Sequence, residues 1–223
     1  MNRSREQSVE QKQEYWSVPQ LWPGETAVIL GGGPSLTVEQ VELARRKGFR
    51  RIAVNNAFLL DPEADVLCWG DSRWWLDNRR EVHRHFGAFR ITWSPAPKYN
   101  NIDVKVLKHV RSGLAISPDP WCIYGSNSGH GAVNLAAHFG VRRIVLLGFD
   151  MKTTAGNNWH NYHKRHAREA RYKHLFLPEM KMAVRILQLR GIEVINSTPG
   201  SALNSVPVVS IADLEPSHEQ VCN

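Results

Sequence analysis

The sequence has no apolar run of the roughly 18 residues needed to span a bilayer. Its longest apolar stretch, Ala132 to Phe149, is interrupted by Arg142 and Arg143. The N-terminus, with Arg3, Arg5, Glu6 and Glu10 among Gln and Ser, lacks the apolar core of a signal peptide, so a cytoplasmic location is expected. Cysteine is scarce. Cys68, Cys122 and Cys222 are an odd number without metal-ligand spacing, which argues against a disulfide framework and reads as buried, reduced thiols. Neither GxGxxG at full spacing nor GxxxxGK[ST] occurs, so neither a dinucleotide enzyme nor a Walker NTPase follows. The HExxH metal pattern and internal repeats are also missing.

Acidic residues run short between positions 141 and 190, where three Asp and Glu face eleven Lys and Arg. The whole chain carries a net charge of +7, so this segment holds the excess and the rest is close to neutral. A local basic surface calls for an anionic partner: a nucleotide phosphate, an anionic saccharide or nucleic acid.

What the chain does have is length and alternation. Its 223 residues with 42% hydrophobic content are enough for one well-buried domain. Apolar, β-rich runs recur at Thr26 to Gly31, Arg51 to Asn55, Asp65 to Gly70, Phe89 to Trp93, Trp121 to Tyr124, Arg143 to Gly148 and Ile192 to Asn196. Helical or polar segments separate them. The expected fold is therefore α/β and Rossmann-like, a largely parallel sheet flanked by helices. The expected organisation is a polar, loosely docked arm over 1–22, one nucleotide-binding domain over 23–215 and a tail over 216–223. Ser128 to Phe139 reads as a helix closed by Gly140, and Lys164 to Arg190 as one long helix or two, broken near Pro178. Pro95 to Pro120 carries few signals.

In such sheets ligands collect at the carboxyl ends of the strands. The first strand ends in Gly31, Gly32, Gly33, Pro34 and Ser35, a turn whose glycines admit an anion close to backbone N–H groups, ahead of a helix. Close packing is its other reading. Thr37 and Gln40 have capping-box spacing, placing the helix start near Val38. Asn55 and Asn56 follow the second strand, and Asn side chains both donate and accept. Asp71 follows the third and Asp150 a later one; both suit a Mg²⁺ contact, but Asp71 equally suits a cap for the helix with Trp74 and Trp75, which is favoured, and Asp150 is read as a ligand or metal contact. Asn127, Ser128 and Gly129 lie in a second small-residue loop before a helix. His160, His163 and His166 recur every third residue without a carboxylate, which favours a general base over a metal site, with Trp159 and Tyr162 as stacking faces.

Together, GGGPSL, VNNAF, GSNSGHGAVNLAAHFGVRRIVLLGFDM, a Trp-His pair and VINSTPGSAL resemble the MptE-like and sialyltransferase-like α/β proteins. That group includes the 6-hydroxymethylpterin diphosphokinase-like domain, bacterial CMP-sialic acid transferases and many small phage proteins. The resemblance runs from Ala27 to Val209. It implies a mononucleotide site in which Gly31 to Ser35 hold the phosphate of a cytidine nucleotide, with Asn55 near the donor and Asn127, Ser128 and Gly129 facing it. It implies His160 as general base. The short length is closest to phage members, for which the location would be the host cytoplasm.

The leading expectation is a transferase that moves a group, most simply a sugar, from a nucleotide or CMP-linked nucleotide-sugar donor to an acceptor hydroxyl on a glycan or modified nucleic acid. Asp150 and His160 are its expected catalytic residues. A Mg²⁺-dependent diphosphokinase of the pterin type and a non-catalytic nucleotide- or nucleic-acid-binding protein are the alternatives. A homo-oligomer is among the states this composition allows.

Overall fold

A computed structural model of the chain describes residues 15–94, 103–111, 115–153, 159 and 168–215. Seven strands form one sheet in the order β5-β4-β3-β2-β1-β8-β9, and every neighbouring pair is parallel. These are β1 (Thr26–Leu30), β2 (Arg50–Val54), β3 (Val66–Trp69), β4 (Phe89–Thr92), β5 (Val104–Val106), β8 (Arg143–Leu147) and β9 (Glu193–Asn196). The expected α/β class and parallel sheet are observed.

Two short strands, β6 (Lys108–Val110) and β7 (Cys122–Tyr124), pair separately. The run at Trp121 to Tyr124 therefore does form a strand, but outside the main sheet. The poorly signalled region also supplies β5, whose half-buried Val-Lys-Val extends the sheet at one edge.

The sheet is covered on both faces, and the period of two in its strands divides the core accordingly. Ala27, Ile29, Ile52, Val54, Cys68, Ile144 and Leu146 pack with helices α3 (Ser128–His138) and α5 (Leu177–Leu189). Val28, Leu30, Ala53, Leu67, Trp69, Val145 and Leu147 pack with α1 (Val38–Arg46) and α2 (Ser72–His85). Each fully buried Val, Leu or Ile among them contributes on the order of 1.5–3 kcal/mol by leaving water. Trp69 stacks on Trp75 at 4.8 Å between ring centroids, fastening α2 to β3. Cys68 and Cys122 are buried and unpaired, and burial pushes the Cys68 thiol well up, so it is held as an inert thiol.

Local signals explain where the helices start. Thr37 accepts from the Gln40 amide at 3.3 Å while Gln40 accepts from the Thr37 amide at 3.0 Å, completing the capping box of α1. Asp71 caps α2 by accepting from the Arg73 amide at 2.8 Å. The last helix is preceded by a three-residue α4 (Glu169–Arg171) and a π-helical segment, Tyr172–Phe176. Pro178 has no N–H to donate to the preceding turn, and the wider π spacing just before it accommodates that loss.

The N-terminal arm differs from expectation over residues 15–22. Val18 and Trp22 are each only 4% exposed. Trp16 donates to the Val106 carbonyl at 2.8 Å, Val18 to Pro120 at 3.0 Å and Trp22 to Phe139 at 2.9 Å. Apolar side chains in a polar context are what hold this strap down. Among the described residues no helix is long and apolar enough to cross a membrane.

Candidate nucleotide site

Strand order reverses between β1 and β8: the chain runs outward from β1 to β5, then returns to lay β8 on the other side of β1. Loops leaving the carboxyl ends on either side of such a point diverge and open a crevice. A cleft of about 830 Å³ lies there, within the size range of small-molecule sites. Gly31, Gly32, Gly33, Asn55, Asn56, Asn127, Ser128, Gly129 and Asp150 all line it. Ser35 does not, but it touches a residue that does.

The first glycine loop is largely consumed by internal packing. Gly31 donates to the Leu147 carbonyl and Gly33 to the Gly148 carbonyl, both at 2.8 Å. A Cβ on Gly31 would sit 2.6 Å from the Gly148 oxygen, and one on Gly33 would sit 2.5 Å from that oxygen and fall on the Asp150 carboxylate. Asp150, 4% exposed, accepts from the Ser35 hydroxyl at 2.8 Å and the Ser35 amide at 3.4 Å. A carboxylate of the protein thus occupies the place beside Ser35 where a phosphate was expected. The next residue, Met151, is buried with φ of 55°, an unusual conformation for a side chain of that size.

The second loop is built differently. Asn127 caps α3, its Oδ1 accepting from the His130 amide at 3.0 Å. Its Nδ2 is buried with no hydrogen-bond partner among the described residues. The first amides of α3, at Ser128 and Gly129, have no carbonyl one turn back to receive them. Both residues line the cleft, at the positive end of an 11-residue helix. The Ser128 hydroxyl accepts from Gly70 at 3.2 Å, and a Cβ on Gly129 would meet the Phe149 ring at 2.9 Å. Both contacts seat the helix start tightly over β3 and β8.

The two asparagines after β2 part company. Asn55 adopts φ of 52°, and its Oδ1 is buried with no partner among the described residues. An asparagine tolerates this left-handed conformation better than most residues. Asn56 is 2% exposed; its Oδ1 accepts from the Trp74 indole and its Nδ2 reaches Asn78 Oδ1 at 3.5 Å. Its side chain is committed to holding α2.

Several cleft residues were not singled out by sequence. His109 and Arg111 come from β6 and just beyond it, and Tyr172 and Phe176 from the π-helical segment. Tyr172 packs edge-on to Phe176 at 5.3 Å. Burial, and then the Asp150 and Glu169 carboxylates, push the Tyr172 hydroxyl up, so it stays protonated and able to donate. Period-two alternation in Lys108–Val110 is too short to announce itself, and nothing in a helical pattern marks a π segment. Among the described residues no group of three or more His, Cys, Asp and Glu is arranged to hold a metal ion. His160, with His163, His166 and Tyr162, lies outside the described residues. Trp159 is described and donates its amide to the Gly32 carbonyl at 3.3 Å.

No family model matches the sequence, and no curated protein matches it. Solved structures do. The Maf glycosyltransferase of Magnetospirillum magneticum AMB-1 superposes with a TM-score of 0.66 at 15% identity, over 92% of this chain and 37% of that one. The chain therefore spans little more than a third of that glycosyltransferase. The sialyltransferase CstII of Campylobacter jejuni, in complex with cytidine-5'-monophosphate, superposes at 0.54 with 11% identity over 89% of this chain and 91% of its own. The same enzyme with CMP-3FNeuAc gives 0.51 at 10% identity, over 89% and 93%. At such identities the likeness is one of fold: the chain has the Rossmann-like α/β architecture seen in these glycosyltransferases.

Proposed function

We propose that this protein is a nucleotide-donor-dependent group transferase of the glycosyltransferase type, binding its donor across the cleft between the β1 and β8 loops. The observation that carries this reading is the start of α3. There Asn127, whose buried Nδ2 has no hydrogen-bond partner among the described residues, and the helix-start residues Ser128 and Gly129 line one cleft. Buried polar atoms without partners are rare in native proteins and call for a ligand to complete them. The helix start takes the donor phosphate, Asn127 Nδ2 adds a further hydrogen bond, and Asn55 Oδ1 accepts from a ribose hydroxyl or an amino group of the base. Complexes of CstII with CMP and CMP-3FNeuAc support a CMP-linked donor.

In the transfer, the acceptor oxygen bonds to the anomeric carbon as the bond from that carbon to the phosphate oxygen breaks, the electron pair leaving with the phosphate. Helix amides and the protonated Tyr172 hydroxyl stabilise that departing charge. His160 takes the acceptor proton, and Asp150, fixed by Ser35, orients the groups around it. Arg73, Arg111, Lys152 and Arg171 line the cleft and suit an anionic acceptor, glycan or modified nucleic acid. The MptE-like alternative, diphosphate transfer, would need Mg²⁺ to bridge phosphates.

The test is a thermal-shift screen with CMP, CDP, UDP, GDP, ADP and ATP, each with and without Mg²⁺. A ligand at a hundredfold excess over its dissociation constant stabilises the folded state by about 2.7 kcal/mol. A shift with CMP in EDTA is the expected result. No shift with any nucleotide would sink the reading, and a shift confined to ATP with Mg²⁺ would transfer it to the diphosphokinase.

A further inference from the structure

The loop that carries Asn127 is gripped from three sides. From α5, the Glu179 carboxylate accepts from the Ser126 amide at 3.1 Å and from the Ser126 hydroxyl. From α3, the fully buried His130 ring lies with Nδ1 3.4 Å from that same carboxylate oxygen and Nε2 2.6 Å from the Ala115 carbonyl. A carbonyl only accepts, so Nε2 carries a hydrogen, and Nδ1 donates to the carboxylate when the ring holds its second proton. From β6, His109 Nε2 lies 2.7 Å from the Gly125 carbonyl. Gly125 itself has φ of +119°, and a Cβ there would come within 2.6 Å of the His130 ring.

None of these contacts is needed to build the sheet or to start α3, whose cap is Asn127. They hold Gly125 and Ser126, directly or through Glu179, immediately before Asn127, in a backbone conformation that only glycine adopts readily at position 125. An acid in the first turn of α5 has a bland use, the favourable interaction with helix amides. That use is weak here, because α5 continues from the helical segment before it and its first amides are not all open. Glu179 instead turns its oxygen to the loop.

We propose that Glu179 is a positioning residue for nucleotide binding: with His130 and His109 behind it, it holds Gly125–Asn127 in the conformation that presents Asn127 Nδ2 and the α3 amides to the phosphate. The inference rests on the donor site proposed above and adds that its affinity is set from α5, by a side chain that does not itself touch the nucleotide. Preorganisation of this kind removes the ordering cost that binding would otherwise carry.

CMP titration calorimetry on wild type, Glu179→Ala and Glu179→Gln tests it, with thermal melts to show that each variant is folded. The alanine variant is expected to lose about tenfold or more in CMP affinity, the scale of a hydrogen bond to a charged group. The glutamine variant keeps an oxygen that can accept from Ser126 and is expected to restore most of that loss, which a generic loss of packing would not allow. Ser126→Ala, which removes only the hydroxyl contact, is expected to fall between them and serves if Glu179→Ala does not fold. Wild-type affinity in the folded alanine variant, or in Ser126→Ala if that one must stand in, overturns the proposal while leaving the donor site intact. Failure of the glutamine variant to improve on alanine also overturns it. If the wild type binds neither CMP nor any other nucleotide of the screen, both readings fall together.

Discussion

Two loops of this chain look alike in sequence and do different work. Gly31 to Ser35 and Gly125 to Gly129 both pass through glycine and serine into a helix at the carboxyl edge of a strand. In the first, amide donors and the space of absent side chains go to the β8 turn, and Asp150 closes the remaining position. In the second, the loop is tied down from behind and its helix start stays open toward the cleft. Glycine content alone does not identify an anion site. What matters is whether the amides still have somewhere else to go.

Substitutions in the two loops should have separable effects. The largest effect is expected for Gly33→Ala, whose Cβ would meet the Gly148 oxygen at 2.5 Å and the Asp150 carboxylate. Overpacking against fixed backbone predicts a loss of about 3 kcal/mol in stability, read from urea denaturation. Unchanged stability would mean that the first loop is not a packing element. Asn127→Ala attacks the other loop, and its effect should appear chiefly in binding. CMP affinity is expected to fall about tenfold by calorimetry as the Nδ2 contact is lost, with about 1 kcal/mol of stability lost as the cap goes. Equal losses in both variants, in both measurements, would erase the distinction between the loops.

Ser35→Ala sharpens it further. Removing the 2.8 Å hydroxyl contact leaves Asp150 with a weaker hold on the first loop, and about 1 kcal/mol of stability should go, measured in the same denaturation series. The smallest effect concerns pH. His138, at the far end of α3, is lowered from the ordinary imidazole value of 6.5 by burial, which outweighs the raising effect of its 3.0 Å contact with the Cys122 carbonyl. On acidification the unfolded chain takes up this proton before the folded one does. Stability therefore falls as pH drops below 6.5 and levels off beneath the lower folded value. Denaturation midpoints across this range should show a shallower fall in His138→Gln, and an identical fall would remove His138 from the account.

Much of the fold was legible because its signals are local and redundant. The continuously apolar Thr26–Leu30 and Arg143–Leu147 became paired strands, Thr37 and Asp71 cap their helices, and α3 starts at Ser128 as read. The short β5 and β6 were not legible, since three residues of alternating Val, Lys and His give too few periods to separate from loop. The lining of the cleft was legible as a set of strand ends. How each residue is used depends on contacts over a hundred positions apart, such as Ser35 with Asp150, which no local pattern encodes. Asn55 and Asn56 illustrate the limit: adjacent and identical in type, one has a buried oxygen with no partner among the described residues and the other is bonded to Trp74.

The strap over residues 15–22 bears on the order in which the molecule can assemble. It is the first part of the described chain to leave the ribosome, yet its partners are Val106, Pro120 and Phe139. Trp22 cannot reach the Phe139 ring, 4.1 Å away in the finished fold, until well over a hundred further residues have been made. Such distant closures are slow, because a long loop must be ordered before any contact rewards it. During synthesis Trp16, Val18 and Trp22 are therefore exposed apolar groups waiting for a surface, and their docking reports completion of the α3 half of the sheet rather than its beginning.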